Sequence, residues 1–505
     1  MQLEYHDVMR LKILATSSII AIVLLVGFSM RREAIRPAIE NTSIWQSYER
    51  YKEPAITYRT VKHAGIQPLI RKHVSSGLLR SSILGVSVQG RSIVHLVAGT
   101  GKKKVLLWSQ MHGDESTATM ALFDLFNFLS AKDENDPFRH LLTEELELHF
   151  VPMVNPDGAE VWKRRNHMDI DINRDARALS TPEGRLLMQV ADDVKPQFGF
   201  NLHDQNTLYS VGSTNKPATV SFLAPAYNYA RDMNEVRENA AKLIVHMNRA
   251  LQKHLPDQVA KYSDAHEPRG FGDTFQKKGI STILIESGGY HNDPQKQYIR
   301  KLNFYVLLSA LHAIAKESYE NEQVEDYYSI PENGRSLFDL VIRNVEVLKD
   351  SLRYRTSVGI NQPSSVDATG KRLNYRGGIE ELGDMQNNYG YTELDASALS
   401  TIPGKVITMK KVEWDKLSLQ SEYALLKQGY LYIRFSDLRS PVGPVPGRLL
   451  NLINGESANP NPIVLYRYPN FVLSTSGGKP VYAVVNGFLI DLNKEVPALP
   501  NTYGY

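Results

Sequence analysis

A histidine and a carboxylate three residues apart, in a loop after an apolar run, could bind one metal ion together. His112 and Glu115 flank Gly113 and Asp114 and follow the apolar residues 105–108. Active sites of parallel sheets lie at the carboxyl ends of the strands, so this position favours a functional role. Alone the pattern is weak, because a polar loop that caps the next helix would contain the same residues.

His203 directly follows the predicted strand at residues 198–202 and would supply a third ligand. A His–Glu–His set with a fourth position open to water is typical of catalytic rather than structural zinc. A lone histidine at a strand end is more often structural, so the hypothesis depends on the combination with His112 and Glu115. The chain has no cysteine, which excludes disulfides, zinc ribbons, iron–sulfur clusters and a thiol nucleophile.

Two further features could supply acid–base chemistry and anion binding. Glu286 directly follows the apolar residues 283–285 and comes shortly before the two glycines at 288 and 289. Partial desolvation there would raise the pKa of its carboxyl towards the range useful to a general base, although the residue could instead cap the Gly-rich turn. The arginines between Arg164 and Arg174 could clamp a carboxylate and polarise a carbonyl, or could form a solvated charged loop.

The elements that must position these residues alternate between residues 60 and 318. Apolar periodicity and turn signals predict both strands and helices there. The strands are predicted at 105–108, 146–154, 198–202, 220–223 and 280–285, and the helices at 116–131, 182–194, 233–254 and 293–318. Such alternation predicts an α/β layered domain with a largely parallel sheet.

The 505 residues and 57.0 kDa predict two or three domains. Residues 13–30 carry no charge and have basic flanks, which is typical of a signal peptide or a signal anchor. We therefore expect an exported protein, periplasmic or extracellular, or anchored to the membrane. The predicted organisation is a signal peptide or anchor, a catalytic domain, a polar linker and a β-rich domain of unknown role, at 1–35, 36–319, 320–335 and 336–505.

Charge and missing motifs exclude several classes of function. Lys and Arg number 58 against 55 Asp and Glu, so no basic excess favours nucleic acid as a partner. The chain contains no Gly-x-Ser-x-Gly, no His-Glu-x-x-His and no Gly-rich nucleotide-binding loop. Serine hydrolase, zincin and nucleotide-dependent functions therefore lose their main support. The sequence gives no oligomeric state.

Taken in order, these features resemble the zinc carboxypeptidase family, the carboxypeptidase A-like metallopeptidases. The resemblance covers about residues 60–315, and the ordered set is more specific than any single piece. The matching pieces are 85–91, 112–115, 155–158, Arg164 with 171–174, His203 and Glu286. The resemblance implies an α/β/α sandwich with a mixed, mostly parallel sheet, one zinc ion at its carboxyl edge, and a peptide substrate with a free C-terminal carboxylate.

The same resemblance assigns each matching residue a role in peptide hydrolysis. The implied zinc ligands are His112, Glu115 and His203. Glu286 would be the general base and acid, and Arg164 would polarise the scissile carbonyl. Asn173 and Arg174 would hold the substrate's carboxylate.

The sequence also departs from the family. Where relatives often carry a tyrosine on a loop, residues 264–269 offer His266 and Arg269, and Tyr262 does not align cleanly. A zinc amidohydrolase or deacylase acting on small N-acyl amino acids or cell-wall peptides is therefore an alternative, as is a non-catalytic binding protein on a peptidase scaffold. Arg164 and the pair Asn173–Arg174 favour the peptidase.

Overall fold

The computed structural model describes residues 42–439, 441–456, 458 and 462–496, and the backbone of 502 and 503. The predicted signal or anchor at 13–30 lies outside these residues. No helix within the described ranges is long and apolar enough to cross a membrane. The described part of residues 50–505 forms one compact unit, and of the preceding unit the structure describes only 42–49.

An eight-stranded mixed sheet is the centre of the first part of the chain. In spatial order its strands are Arg80–Val86, Ser92–Ala98, Leu146–Val151, Lys103–Ser109, Phe198–Asp204, Ser281–Ser287, Val220–Leu223 and Val259–Lys261. The four strands from Leu146–Val151 to Ser281–Ser287 are mutually parallel, and antiparallel pairs join them to the outer strands. The mixed α/β fold is confirmed.

Helices cover the sheet, which explains why its central strands are continuous apolar runs rather than alternating ones. One group includes Thr117–Ser130 and Gln297–Lys316, which pack together. Another includes Pro182–Val194 and Phe271–Lys277, whose apolar side chains share a core with Trp108. The remaining helices before residue 330 are Thr42–Tyr51, His63–Ser75, Asp136–Glu145, Pro156–Val161, Glu235–Gln252 and Val324–Tyr328, with 3-10 turns at Ile172–Arg174 and Ser318–Asn321.

The C-terminal β-region, defined here as residues 333–491, is built around a second eight-stranded sheet. Its strands are Gly378–Gly383, Leu352–Asn361, Leu337–Lys349, Ser400–Pro403, Phe471–Ser474, Pro480–Val485 and Phe488–Asp491, with Tyr389–Asp395 beside Leu337–Lys349. Smaller strands are Asn333–Gly334, Ser364–Val366, Leu373–Tyr375, Lys405–Met409, Tyr430–Phe435 and Asn451–Leu452, and the helices are Lys411–Asp415 and Leu419–Lys427. The β-rich character predicted for this half is confirmed.

Local differences from the predicted elements have simple causes. Residues 155–158, whose Asn-Pro-Asp-Gly sequence is typical of a turn, instead begin a helix. Pro156 takes its first position, and the Asn155 side chain accepts a hydrogen bond from the Gly158 amide at 2.9 Å. Asn486 and Gly487, whose sequence predicts a tight hairpin turn, do form one: both adopt positive φ between the antiparallel strands Pro480–Val485 and Phe488–Asp491.

Candidate metal centre

The loop that carries His112 and Glu115 is fixed from both sides. Gln110 has a positive φ of 50°, and its amide donates hydrogen bonds to the carbonyls of Val61 and Gly113 at 2.8 and 2.9 Å. Gly113 packs on the backbone at Gly158, where an added Cβ would lie 2.0 Å from the carbonyl carbon. Only glycine permits this approach, which turns the chain so that His112 and Glu115 face one point.

His203 reaches the same point from the end of the neighbouring strand Phe198–Asp204. The Nδ1 atoms of His112 and His203 are 3.2 Å apart, and each lies 2.8 Å from a different oxygen of Glu115. One ligand atom from each of the three residues lies within 4.8 Å of the others. The two histidines are each 2% exposed and Glu115 is 9% exposed, so a bound ion would be shielded from solvent on the protein side.

The donor set suits zinc. Two imidazole nitrogens and one carboxylate are typical zinc ligands, and three protein ligands leave a fourth position for water or substrate. Four-coordinate zinc takes nitrogen and oxygen at about 2.0–2.2 Å. Small outward movements of His112, Glu115 and His203 would give that spacing, since their donor atoms already converge.

Asp171 holds one ligand in place and was not predicted as a site residue. Its Oδ1 lies 3.0 Å from His112 Nε2, the nitrogen that faces away from the other ligands. Its Oδ2 accepts hydrogen bonds from Nε and Nη2 of Arg164 at 3.1 and 3.0 Å. Carboxylates that bind the outer nitrogen of a ligating histidine fix its tautomer and orientation. The sequence signal was present, since Asp171 begins the segment that contains Asn173 and Arg174.

Arg164 lies beside the ligand atoms themselves. Its Nη1 is 3.0 Å from both Glu115 Oε1 and His112 Nδ1, while its side chain is 43% exposed. The guanidinium therefore reaches from the solvent edge to the metal position. The structure thus places Arg164 beside the three candidate ligands, and its role in the reaction stays a prediction.

The charges of the cluster perturb its titration. Burial would lower the pKa of His112, but the charge of Glu115 and hydrogen bonds to Asp171 and Glu115 raise it to about 9. Burial opposes ionisation of Glu115, yet His112 and His203 bring its pKa well below the ordinary range. Burial lowers the pKa of His203. Glu115 is thus an anion ready to bind a cation.

Residues 72–278 match the family model described as zinc carboxypeptidase. This segment belongs to the zinc carboxypeptidase family. It contains His112, Glu115, His203, Arg164 and Asp171, and the predicted resemblance is thereby confirmed. We call residues 72–278 the carboxypeptidase segment.

Curated relatives match parts of the chain. Carboxypeptidase SOL1 of Arabidopsis thaliana is 37% identical over 65 residues, 13% of this chain and 13% of that protein. Carboxypeptidase M of Mus musculus is 26% identical over 138 residues, 24% of this chain and 31% of that protein. The chain therefore spans less than a third of the length of these two relatives. A metallo-carboxypeptidase structure from Burkholderia cenocepacia aligns with a TM-score of 0.42 at 18% identity, covering 51% of this chain and 69% of that one.

Glu286 follows the carboxypeptidase segment in sequence and adjoins its ligands in space. It is the register partner of His203 in the adjacent parallel strand Ser281–Ser287. Its Oε2 is buried and forms no hydrogen bond within the described residues. Burial, and then the negative charge of Glu115, raise the pKa of Glu286 well above its ordinary value. A carboxylate in this state is suited to accept a proton.

Asn173 and Arg174 lie on the 3-10 turn Ile172–Arg174, directly after Asp171. Asn173 Nδ2 is 3.3 Å from His203 Nε2, and its Oδ1 accepts a hydrogen bond from the Phe271 amide at 3.0 Å. Arg174 pairs with Glu267 at 3.1 Å and is about 39% exposed. The structure thus places Asn173 against a ligand, whereas Arg174 stands at the solvent edge.

Of the residues considered in place of the family tyrosine, neither contacts a ligand in the described structure. His266 Nδ1 lies 2.8 Å from the Ala226 carbonyl oxygen and 3.0 Å from Asp273, and Arg269 pairs with Glu267 at 2.8 Å. Burial, a hydrogen bond with Tyr209 and the charge of Glu286 raise the pKa of Tyr262.

Proposed function

We propose that this chain is an exported zinc carboxypeptidase that hydrolyses the C-terminal amide bond of peptides. The observation that carries this proposal is the convergence of His112, Glu115 and His203 beside the buried, unpartnered carboxylate oxygen of Glu286. A metal site with three protein ligands and a neighbouring base is suited to hydrolysis.

Bound zinc would supply Lewis acidity, which acidifies a coordinated water and polarises a carbonyl oxygen. Glu286 accepts the proton of the attacking water, since its Oε2 has no competing donor among the described residues. It then returns that proton to the leaving amine. Glu286 is half-buried, and the burial of its Oε2 shields that oxygen from bulk water.

Arg164 and the turn at Asn173 and Arg174 act on the substrate. Arg164 is charged and half-exposed beside the ligands, so its guanidinium can donate to the developing oxyanion. Arg174 is at the solvent edge, where it can exchange Glu267 for the carboxylate of a peptide, with Asn173 next to it. Recognition of that carboxylate restricts hydrolysis to the last residue.

The hydrolytic part of the proposal is tested on purified full-length protein with a peptide mixture and with the same peptides amidated at the C-terminus. We expect release of C-terminal amino acids from the free peptides only, its loss with a chelator and its return with added zinc. Release that ignores the chelator contradicts the metal mechanism. Turnover of N-acyl amino acids without release from peptides supports the deacylase alternative instead.

The export part rests on residues 1–35 and has its own test. We fuse this segment to a phosphatase that is active only outside the cytoplasm. Activity of the fusion, and its loss when charged residues are placed within 13–30, is the expected result. An inactive but stable fusion contradicts export.

A further inference from the structure

A cavity of about 1010 Å³ is lined on one side by residues between 59 and 296 and on the other by the C-terminal β-region. On one side it is lined by Glu115 and by the segments 204–208 and 288–294. On the other it is lined by residues of the C-terminal β-region, among them Asp339, Glu380 and Tyr391. The cavity therefore begins at a ligand of the candidate metal centre and ends on strands that the family match does not include.

Specific contacts fix the C-terminal wall in place. The Tyr391 hydroxyl donates a hydrogen bond to the Thr207 carbonyl at 2.7 Å, and its ring meets that of His291 at 4.8 Å. The short strand Asn333–Gly334 pairs with Ser210–Val211. These contacts join the loop after His203 directly to the C-terminal β-region.

The cavity lies on the side where the amino part of a peptide would extend. Asn173 and Arg174, proposed to hold the substrate's C-terminal carboxylate, do not line it. The segments that do line it follow His203 and Glu286 along the chain, beyond the metal ligands. Because Glu115 lines the cavity and Arg174 does not, a peptide whose last residue lies at Arg174 and whose scissile carbonyl lies at the metal can extend its amino part into this cavity.

The lining carries six carboxylates and two cationic side chains. Lys296 is paired with Asp204 at 3.0 Å, and Arg59 is close enough to Asp204 and Asp114 for their charges to interact. On the C-terminal wall, Asp339 and Glu380 form no ion pair within the described ranges. Negative charge therefore remains uncompensated on that wall.

Buried acceptors point to the same class of ligand. One carboxylate oxygen each of Asp114 and Asp204 is buried without a hydrogen-bond donor among the described residues. Burial also raises the pKa of Asp339 to about 6, so its anionic form is poorly solvated. Burial lowers the pKa of His291, so this histidine brings no positive charge at neutral pH, and the Tyr391 hydroxyl stays neutral because burial raises its pKa. A cationic donor would relieve these groups.

Resting on the proposed peptidase function, we propose that this cavity binds a cationic group of the substrate on the amino side of the scissile bond. A lysine side chain or a peptide's α-ammonium fits this description. The C-terminal β-region then determines substrate preference through Asp339 and Glu380.

The test uses the full chain and N-acetylated tripeptides in matched pairs, with lysine or norleucine at the first or second position. Each pair is made with a C-terminal phenylalanine, lysine or glutamate. The variants are Asp339→Asn and Glu380→Gln, singly and together. Glu381→Gln is the control, because Glu381 is the adjacent exposed carboxylate and does not line the cavity. Peptide binding to the Glu286→Gln protein is measured in parallel by calorimetry.

We expect a lysine peptide to have a KM and a Kd about tenfold lower than its norleucine partner, the effect of one favourable charge interaction of about 1.4 kcal/mol. The double variant should lose most of this preference, and Glu381→Gln should keep it. Equal turnover and binding of both partners in the unmodified protein overturns the inference and leaves the peptidase function standing. A lysine preference in binding without any release of amino acid overturns the peptidase function instead. A preference that the double variant retains also overturns the inference.

Discussion

Asp171 contacts the ring nitrogen of His112 that faces away from the other candidate ligands: its Oδ1 lies 3.0 Å from His112 Nε2. The other ring nitrogen, Nδ1, is thereby directed at Glu115 and His203. The other carboxylate oxygen binds Arg164. One side chain thus orients a metal ligand and the arginine proposed to act on the substrate. The orientation of His112 is therefore a property of the fold and does not require the ion.

Replacing Asp171 should weaken metal binding. We expect Asp171→Asn to lower zinc affinity about 10- to 100-fold, as loss of such supporting carboxylates does elsewhere, because His112 loses its charged partner. Competition with a fluorescent chelator measures this. Asp169→Asn, in the same loop but outside these contacts, is the matched control. Equal zinc affinity in the Asp171 and Asp169 variants would show that the support is dispensable.

Gly113 should tolerate no side chain. In Gly113→Ala the new Cβ would meet the backbone of Gly158 and Ala159 at 2.0 and 2.2 Å, which forces His112 and Glu115 apart. We expect a loss of unfolding free energy of about 2–4 kcal/mol together with weaker zinc binding. Gly65→Ala is the control, since a Cβ there meets nothing within 4 Å and the site is helical. If both variants unfold at the same urea concentration, the close approach at Gly113 is not a constraint.

The free energy of unfolding should depend on pH through the titration of Asp339. Its folded pKa of about 6 lies above the ordinary value of 3.8, so the folded state retains a proton that the unfolded state releases. The contribution of this proton to the free energy of unfolding is fully present below about pH 4 and is lost as pH rises through 6. Asp339→Asn, which keeps an oxygen for the Gln362 amide, should therefore gain stability over the unmodified protein with rising pH.

The size of that gain follows from the shift. It should be near zero at pH 4 and reach about 3 kcal/mol above pH 7. Urea unfolding of both proteins from pH 4 to 8 gives the difference, in which other titrating groups cancel. A difference that stays constant across this range would contradict the assigned burial of Asp339.

The candidate metal ligands can be proposed from the sequence because they stand at or just after the ends of apolar runs. His112 and Glu115 follow one strand, His203 lies near the end of its parallel neighbour, and Glu286 lies near the end of the next strand. Parallel strands bring their carboxyl ends to one edge, so local sequence is enough to gather these residues.

The cavity could not be predicted in the same way. Asp339 and Glu380 line the cavity only because the C-terminal β-region contacts the loops after His203 and Glu286, and no local pattern marks them among other charged strand residues. Arg174 illustrates the reverse case, since the resemblance places it at the substrate whereas the structure pairs it with Glu267. Pairings between distant segments depend on the whole fold and leave little trace in spacing.

The role of Glu286 is the most direct test of the account. We compare zinc content and release of C-terminal amino acids for the zinc-loaded protein, for Glu286→Gln and for Glu381→Gln. The account predicts equal zinc in all three, with release slowed by about 10²- to 10⁴-fold in Glu286→Gln alone. Undiminished release by a zinc-loaded Glu286→Gln protein would contradict it.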